Sequence, residues 1–282
     1  MPSDQIAHSF RIASMPTHIF RILFSTLLTL LFMVTLPAAA KKKPSHAEQC
    51  LLAMAEPDAI ATRAQRDRLA QRHSEVWTSK AHINEKSRNG IDVSHYQYEI
   101  DWDEVAAAKI SYAYIKATEG ASLVDEYYEF NIREARRAGI SVGAYHFYRP
   151  NVDIHVQLQN LKSTVKKEDI DLVPLIDVET RGSVSATKFV EDLRQFLILV
   201  EKHYGRKPML YTYQNFYNKH FLEQFKDYHW MIACYSDNPP TLNDGKGYIM
   251  WQYTQRGRVS GVRGNVDRSQ LVGHGSLRQI AM

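Results

Sequence analysis

From Gly90 onward, short runs rich in Val, Ile and Tyr alternate with longer amphipathic stretches, and this alternation restricts the fold more than any other feature of the chain. The runs are "GIDVS" (90–94), "SYAYIKA" (111–117), "ISVGAYHFY" (140–148), "LVPLIDV" (172–178), "PMLYTY" (208–213), "WMIACY" (230–235) and "YIMWQYT" (248–254). Helix patterns fall between most of them, over 101–109, 126–138, 153–168, 185–204 and 214–225. Strands separated by helices imply parallel pairing through crossovers. Seven such strands, with an eighth at "GNVD" (264–267), fit a closed TIM-like barrel better than an open sheet. The expected class is therefore α/β, with a barrel over about 89–273 and a short tail over 274–282.

The region before the barrel has a different character. "FRILFSTLLTLLFMVTLPAAAKKK" gives an Arg, an apolar run from Ile22 to Leu36 and the small residues Ala38 to Ala40, the layout of a cleaved secretory signal. Residues 22–40 are also just long enough to remain as a membrane anchor, although Lys41–Lys43 would then lie on the far side, against the positive-inside tendency. Residues 1–40 are thus read as signal or anchor, which directs the protein to the cell envelope or outside the cell. Residues 41–88 read as a helical spacer, rich in Ala, Gln, Arg and Glu and interrupted near Pro57, with the polar "NEKSRN" (84–89) as the link into the barrel.

Of the 35 Lys+Arg and 31 Asp+Glu, 12 and 7 lie in residues 1–88, which leaves 23 and 24 in the rest. The net charge of +4 therefore belongs to the N-terminal arm, and a basic nucleic-acid-binding face is not expected. The two cysteines, Cys50 and Cys234, do not make a disulfide framework and read as free thiols. The twelve histidines show neither H-E-x-x-H nor paired C-x-x-C spacing, and neither a G-x-S-x-G elbow nor a phosphate-cradling glycine loop occurs. No metal or cofactor is expected.

In a parallel barrel the C-terminal strand ends face one cavity. Asp92 closes the first run, Asp177 and Glu179 close the fourth, and Asp267 follows the last. Side chains on a strand alternate in direction, so Leu175, Asp177 and Glu179 share a face, the two acids about 6–7 Å apart along the backbone. Crowded carboxylates in a partly dry cleft do not all ionise at neutral pH. A protonated acid beside ionised ones is what glycoside cleavage requires. From spacing alone, a metal site and a structural pair of capping acids remain open. Aromatic residues cluster in the latter parts of the strands, among them Tyr145, Phe147, Tyr148, Tyr211, Tyr213, Trp251 and Tyr253, and rings of this kind stack on sugar faces or fill a core. The candidate substrate contacts are Lys116, Tyr145, His146, Tyr148, Tyr211, Tyr213, Trp251 and Gln252.

Taken together, "GIDVSHYQYEIDWDEV", "YAYIKATEG", "GISVGAYHFYRP", "VPLIDVE", "PMLYTY" and "WQYTQRGRVSGVRGNVDRS" resemble the glycoside hydrolase family 25 lysozymes, the muramidases of cell-wall lysis. The resemblance runs from about Asn89 to Val272. It implies an irregular (β/α) barrel that cleaves the β-1,4 bond between N-acetylmuramic acid and N-acetylglucosamine in peptidoglycan glycan strands. By motif, Glu179 is the implied general acid and later base. Asp177 is the implied partner of the substrate's N-acetyl group or of the developing charge, and Asp92 and Asp267 complete the cluster. Where the family often has Trp directly before Ile-Ala, Met231 stands here, and Trp230, one residue earlier, is turned to the other face of its strand. Two other readings compete: a wall-binding protein without efficient turnover, and a chitin-type glycosidase on a similar barrel.

Overall fold

A computed structural model describes residues 82–282; the signal or anchor and nearly all of the helical spacer lie outside the described residues. The strands are β1 Asn89–Val93, β2 Tyr112–Glu119, β3 Leu123–Val124, β4 Ser141–Phe147, β5 Leu175–Asp177, β6 Met209–Tyr213, β7 Trp230–Ala233, β8 Met250–Gly257 and β9 Val266–Leu271. The helices are α1 Trp102–Ala107, α2 Tyr128–Arg137, α3 Ile154–Thr164, α4 Ala186–Tyr204 and α5 Gln214–His220. Eight strands close a barrel, since β1 pairs with both β2 and β9, while β3 hangs antiparallel on the outer end of β2.

Neighbouring barrel strands are parallel except at β9, which runs antiparallel to both β8 and β1. That departs from the all-parallel pattern expected from the sequence. The reason is local: no helix separates β8 from β9, so the chain returns as a hairpin, and antiparallel pairing follows from a short connection.

The strand residues divide by alternation. Ala113, Ile115, Val142, Ala144, Ile176, Leu210, Trp230 and Ile232 pack outward against the helices. Tyr112, Tyr114, Leu175, Met209, Tyr211, Met231, Ala233, Met250 and Leu271 pack together inside the barrel. Helix α4 shows how the outer layer is built. Ser185 caps it by accepting from the Lys188 amide, Gly205 ends it in the left-handed conformation at φ 78°, and Phe189, Leu193, Phe196, Leu197, Val200 and Tyr204 form one buried stripe. Each such side chain contributes about 1.5–3 kcal/mol relative to exposure.

Two glycines make room for the barrel's lower filling. Gly90 and Gly143 are register partners of Tyr112 and Tyr114. A Cβ at Gly90 would lie 2.0 Å from the Tyr112 ring, and one at Gly143 would lie 2.3 Å from the Tyr114 ring. The rings thus take the space that two side chains would occupy, and their hydroxyls reach Ser269 Oγ (3.2 Å) and the Val173 carbonyl (3.3 Å). Gly143→Ala is expected to cost about 1–3 kcal/mol of stability. Urea denaturation checks this, and the penalty should shrink when Tyr114→Leu is introduced alongside it.

This same lower end of the barrel is closed by the chain termini of the described region. Leu277 and Ile280, on a 3-10 turn, pack into the inner cluster, and Val173 N donates to the Ile280 carbonyl at 2.8 Å. The segment read as a polar linker, and His82 just before it, are bonded along the barrel: His82 N donates to Asp171 Oδ1 (2.8 Å), Asn84 N to Ser141 Oγ (2.6 Å) and Ser87 N to Ser111 Oγ (2.8 Å). Barrel packing therefore extends past both of the edges expected from the sequence. Among the described residues no helix is long and apolar enough to cross a membrane.

Candidate active site

At the C-terminal ends of the parallel strands, a cavity of about 370 Å³ opens between β1, β2, β4, β5, β6, β8 and the start of β9. That volume lies in the range of small-ligand sites. Asp92, Asp177, Glu179 and Asp267 all line it, as do Lys116, Tyr145, Tyr211, Tyr213 and Gln252. Three strands far apart in sequence, β1, β5 and β9, thus bring the four acids expected from the sequence into one place.

The pair on β5 is held by its neighbours. The strand ends at Asp177, but the backbone continues extended because Val178 N donates to the Tyr211 carbonyl (3.0 Å) and the buried Thr212 hydroxyl donates to the Val178 carbonyl (2.6 Å). Val178 points into the outer layer, so Asp177 and Glu179 both turn to the cavity. Burial, then the Glu179 charge, raises Asp177 well above the usual carboxylate range. Burial also raises Glu179; a hydrogen bond from Tyr213 opposes this and Asp267 adds to it.

Asp92 and Asp267 are direct cross-strand partners on β1 and β9. Two like charges placed opposite each other repel, and both groups are largely shielded from water. Burial first and Asp267 second push Asp92 up to about 8, and burial pushes Asp267 up to about 6. Gln252 tempers Asp92: its Nε2 donates to Asp92 Oδ2 at 3.2 Å, while Tyr211 and Tyr235 hydroxyls each donate to Gln252 Oε1 at 3.0 Å. The second oxygen of Asp92, and Oδ1 of Asp177, are buried without a hydrogen-bond partner among the described residues. Each is an acceptor facing a cavity that a polar ligand can fill.

Three candidate contacts lie elsewhere. His146 is fully buried behind the wall, bonded to Thr118 Oγ1 (2.8 Å) and Gln157 Oε1 (3.2 Å), and burial lowers it to about 4. Tyr148 is fully buried against Phe196. Trp251 is buried with its indole N–H donated to the Cys234 carbonyl at 2.7 Å. The reason is the same each time: on an alternating strand, Tyr145, Phe147 and Gln252 take the inward direction, so their immediate neighbours point away. Trp230 likewise packs outward among Tyr217, Phe221 and Phe225, as the one-residue displacement implied.

The cavity also contains residues absent from the sequence-based candidates, chiefly Glu119, Arg149 and Tyr235. Glu119 bridges Lys116 Nζ (2.7 Å to Oε2) and Arg149 (Nε 3.0 Å to Oε1). The register of β2 against β4 slips between Lys116 and Thr118. This bulge lets Lys116 and Glu119, three residues apart, face the same cavity, where strict alternation predicts opposite faces. Among the described residues no group of three or more His, Cys, Asp or Glu is arranged to hold a metal ion.

Comparison with known proteins follows the same region. The model of glycosyl hydrolases family 25 matches residues 91–262. The chain is 39% identical over 184 residues to "Uncharacterized protein YegX" of Escherichia coli strain K12, covering 64% of this chain and 67% of that one. It is 32% identical over 203 residues to lysozyme M1 of Streptomyces globisporus, covering 65% and 67%. Among solved structures, the bacterial lysozyme from Streptomyces coelicolor matches with TM-score 0.62 and 30% identity, over 69% of this chain and 95% of that one.

Proposed function

Because the chain belongs to glycosyl hydrolase family 25 and is a glycoside hydrolase of the lysozyme type, we propose that it is a muramidase. It hydrolyses the β-1,4 bond between N-acetylmuramic acid and N-acetylglucosamine, with Glu179 as general acid and then base and Asp177 as its assistant. The observation that carries the reading is the convergence of Asp177, Glu179, Asp92 and Asp267 in one sugar-sized cavity with Tyr145, Tyr211 and Tyr213.

The chemistry follows from the electrostatics. Glu179, raised by burial, retains a proton to higher pH than a free glutamate and can give it to the glycosidic oxygen as the C1–O bond breaks. The acetamido carbonyl oxygen of the same sugar closes on C1, and its N–H gains acidity as charge develops. Asp177, with an unpartnered buried oxygen, is the acceptor for that N–H. Glu179, now ionised, takes a proton from water, which attacks C1 and reopens the ring. Both attack steps occur on opposite faces of C1, so configuration is retained. Asp267, ionised above about pH 6, and Asp92, ionised only above about pH 8, supply negative charge that favours the cationic transition state.

Export to the cell envelope, by cleavage of the 1–40 segment or by retention of 22–40 as an anchor, is proposed with the same reading, since the substrate lies there. Mass spectrometry of products from defined peptidoglycan tests the reaction: fragments should end in reducing N-acetylmuramic acid. Fragments ending in reducing N-acetylglucosamine, or no fragments, would overturn it.

A further inference from the structure

One side of the cavity is not used by this chemistry. Among the described residues, the only cationic ones lining the cavity are Lys116 and Arg149, both on the β2–β4 side. Lys116 is nearly buried and paired with Glu119, whereas the Arg149 side chain is 45% exposed at the mouth.

Arg149 is fixed in place at three levels. Its backbone is clamped by the buried Gln157, which accepts from Arg149 N at 2.8 Å and donates to the Arg149 carbonyl at 3.1 Å. Its guanidinium lies 4.5 Å from the centroid of the Phe147 ring. Nε and Nη2 are both directed at Glu119 Oε1, and Nη1 is not engaged by any described residue. Ordering a long side chain normally costs entropy on binding; here most of that ordering is already present in the folded protein.

Its position relative to the acids is also defined. Phe147 of β4 is the register partner of Asp177 of β5, and Tyr148 N donates to the Asp177 carbonyl at 2.9 Å. Arg149 is therefore the first charged residue beyond the end of β4, level with the region just past Asp177, whereas on the other side of β5, β6 offers only the phenols Tyr211 and Tyr213. In a muramyl ring the acetamido group on C2 and the ether oxygen on C3 sit on adjacent carbons. A sugar whose acetamido N–H meets Asp177 sends its C3 substituent toward one of these two neighbours, and that substituent is acidic.

We propose that Arg149 is a specificity-determining residue that receives a carboxylate carried on C3 of the muramyl ring through Nη1. The proposal rests on the muramidase reading. The shared chemistry has two sources. In stem-free glycan the lactyl carboxylate is itself ionised; in stem-bearing glycan the lactyl carboxyl is an amide and the carboxylate belongs to the peptide. Charge-assisted hydrogen bonds from a guanidinium suit either one.

The test compares wild type, Arg149→Ala and Arg149→Lys on three substrates: soluble glycan strands with peptide stems, the same strands stripped of stems by an amidase, and N-acetylglucosamine oligomers assayed for binding. Arg149→Ala should raise KM at least 10-fold on a muramyl substrate with kcat within about 3-fold, and leave oligomer binding unchanged. Arg149→Lys should fall between it and wild type. Loss confined to stem-bearing strands identifies the peptide carboxylate; loss as large on stripped strands identifies the lactyl group. Equal loss on all three substrates means a structural role, and no loss on any means no role; either result overturns the proposal. If wild type fails to cleave muramyl strands at all, the muramidase reading itself fails, independently of Arg149.

Discussion

Glu179→Gln is expected to lower kcat on peptidoglycan by about 10³-fold or more, near the upper end of what one acid–base group contributes, because the same carboxyl serves both steps. The change is nearly isosteric. Gln keeps an acceptor for the Tyr213 hydroxyl that bonds Glu179 in the wild type, and it removes a group that burial makes reluctant to ionise. The melting temperature should therefore hold steady or rise while activity falls. A glycoside with an activated aryl leaving group, which departs without protonation, should recover part of the loss in the first step. Asp177→Asn is expected to reduce the rate without this recovery, because what it removes is an acceptor for the acetamido N–H. Retention of more than a tenth of wild-type kcat in Glu179→Gln, measured as release of reducing ends, would sink the assignment of the acid.

How much of this was legible in the sequence depends on whether the signal was periodic. The inward direction of Asp177 and Glu179 follows from alternation along one short strand, and that rule survives because Val178 is pinned on both sides by β6. The same rule, applied with care, also separates Tyr145 from His146 and Gln252 from Trp251; treating each pair as joint contacts ignores it. Glu119 was hidden for the opposite reason. It reaches the cavity only because a bulge breaks the alternation of β2, and a bulge is set by pairing with β4, not by the residues of β2 alone. Arg149 follows the end of its strand, where no period applies. The antiparallel β9 was likewise concealed, since "GNVD" marks a strand but not its direction, and only the short β8–β9 connection decides that. Face-to-face placement of Asp92 and Asp267 is a register fact between strands some 170 residues apart, which no local pattern encodes.

That placement has a thermodynamic consequence of its own. Asp92 is raised from 3.8 to about 8 in the folded protein, first by burial and then by Asp267, and Asp267 is raised to about 6 by burial. Between its unfolded and folded values each group binds more protons in the native state than in the unfolded chain. Stability contributed by such a group is fully present below about pH 4 and is lost as pH rises through the folded value. The wild type should thus weaken steadily from about pH 4 to pH 8, with Asp177 and Glu179, both raised, acting in the same direction. Asn at position 92 cannot ionise, yet its side-chain oxygen still accepts from Gln252 Nε2. Asp92→Asn should therefore match the wild type near pH 4 and exceed it at pH 8 by up to about 5 kcal/mol, taking about 1.36 kcal/mol per pKa unit. At about 2–4 °C per kcal/mol for a domain of this size, the melting temperature at pH 8 should rise by on the order of 10 °C. Chemical denaturation at pH 4, 6 and 8 reads the difference directly; parallel curves for the two proteins would mean that Asp92 ionises as freely in the fold as out of it. At pH 8 and above, where Asp92 becomes ionised, activity should move the other way, because a neutral residue at 92 then removes part of the negative field that favours the cationic transition state. A variant that gains stability at pH 8 while losing rate is the signature of an acid cluster maintained for chemistry at the expense of the fold.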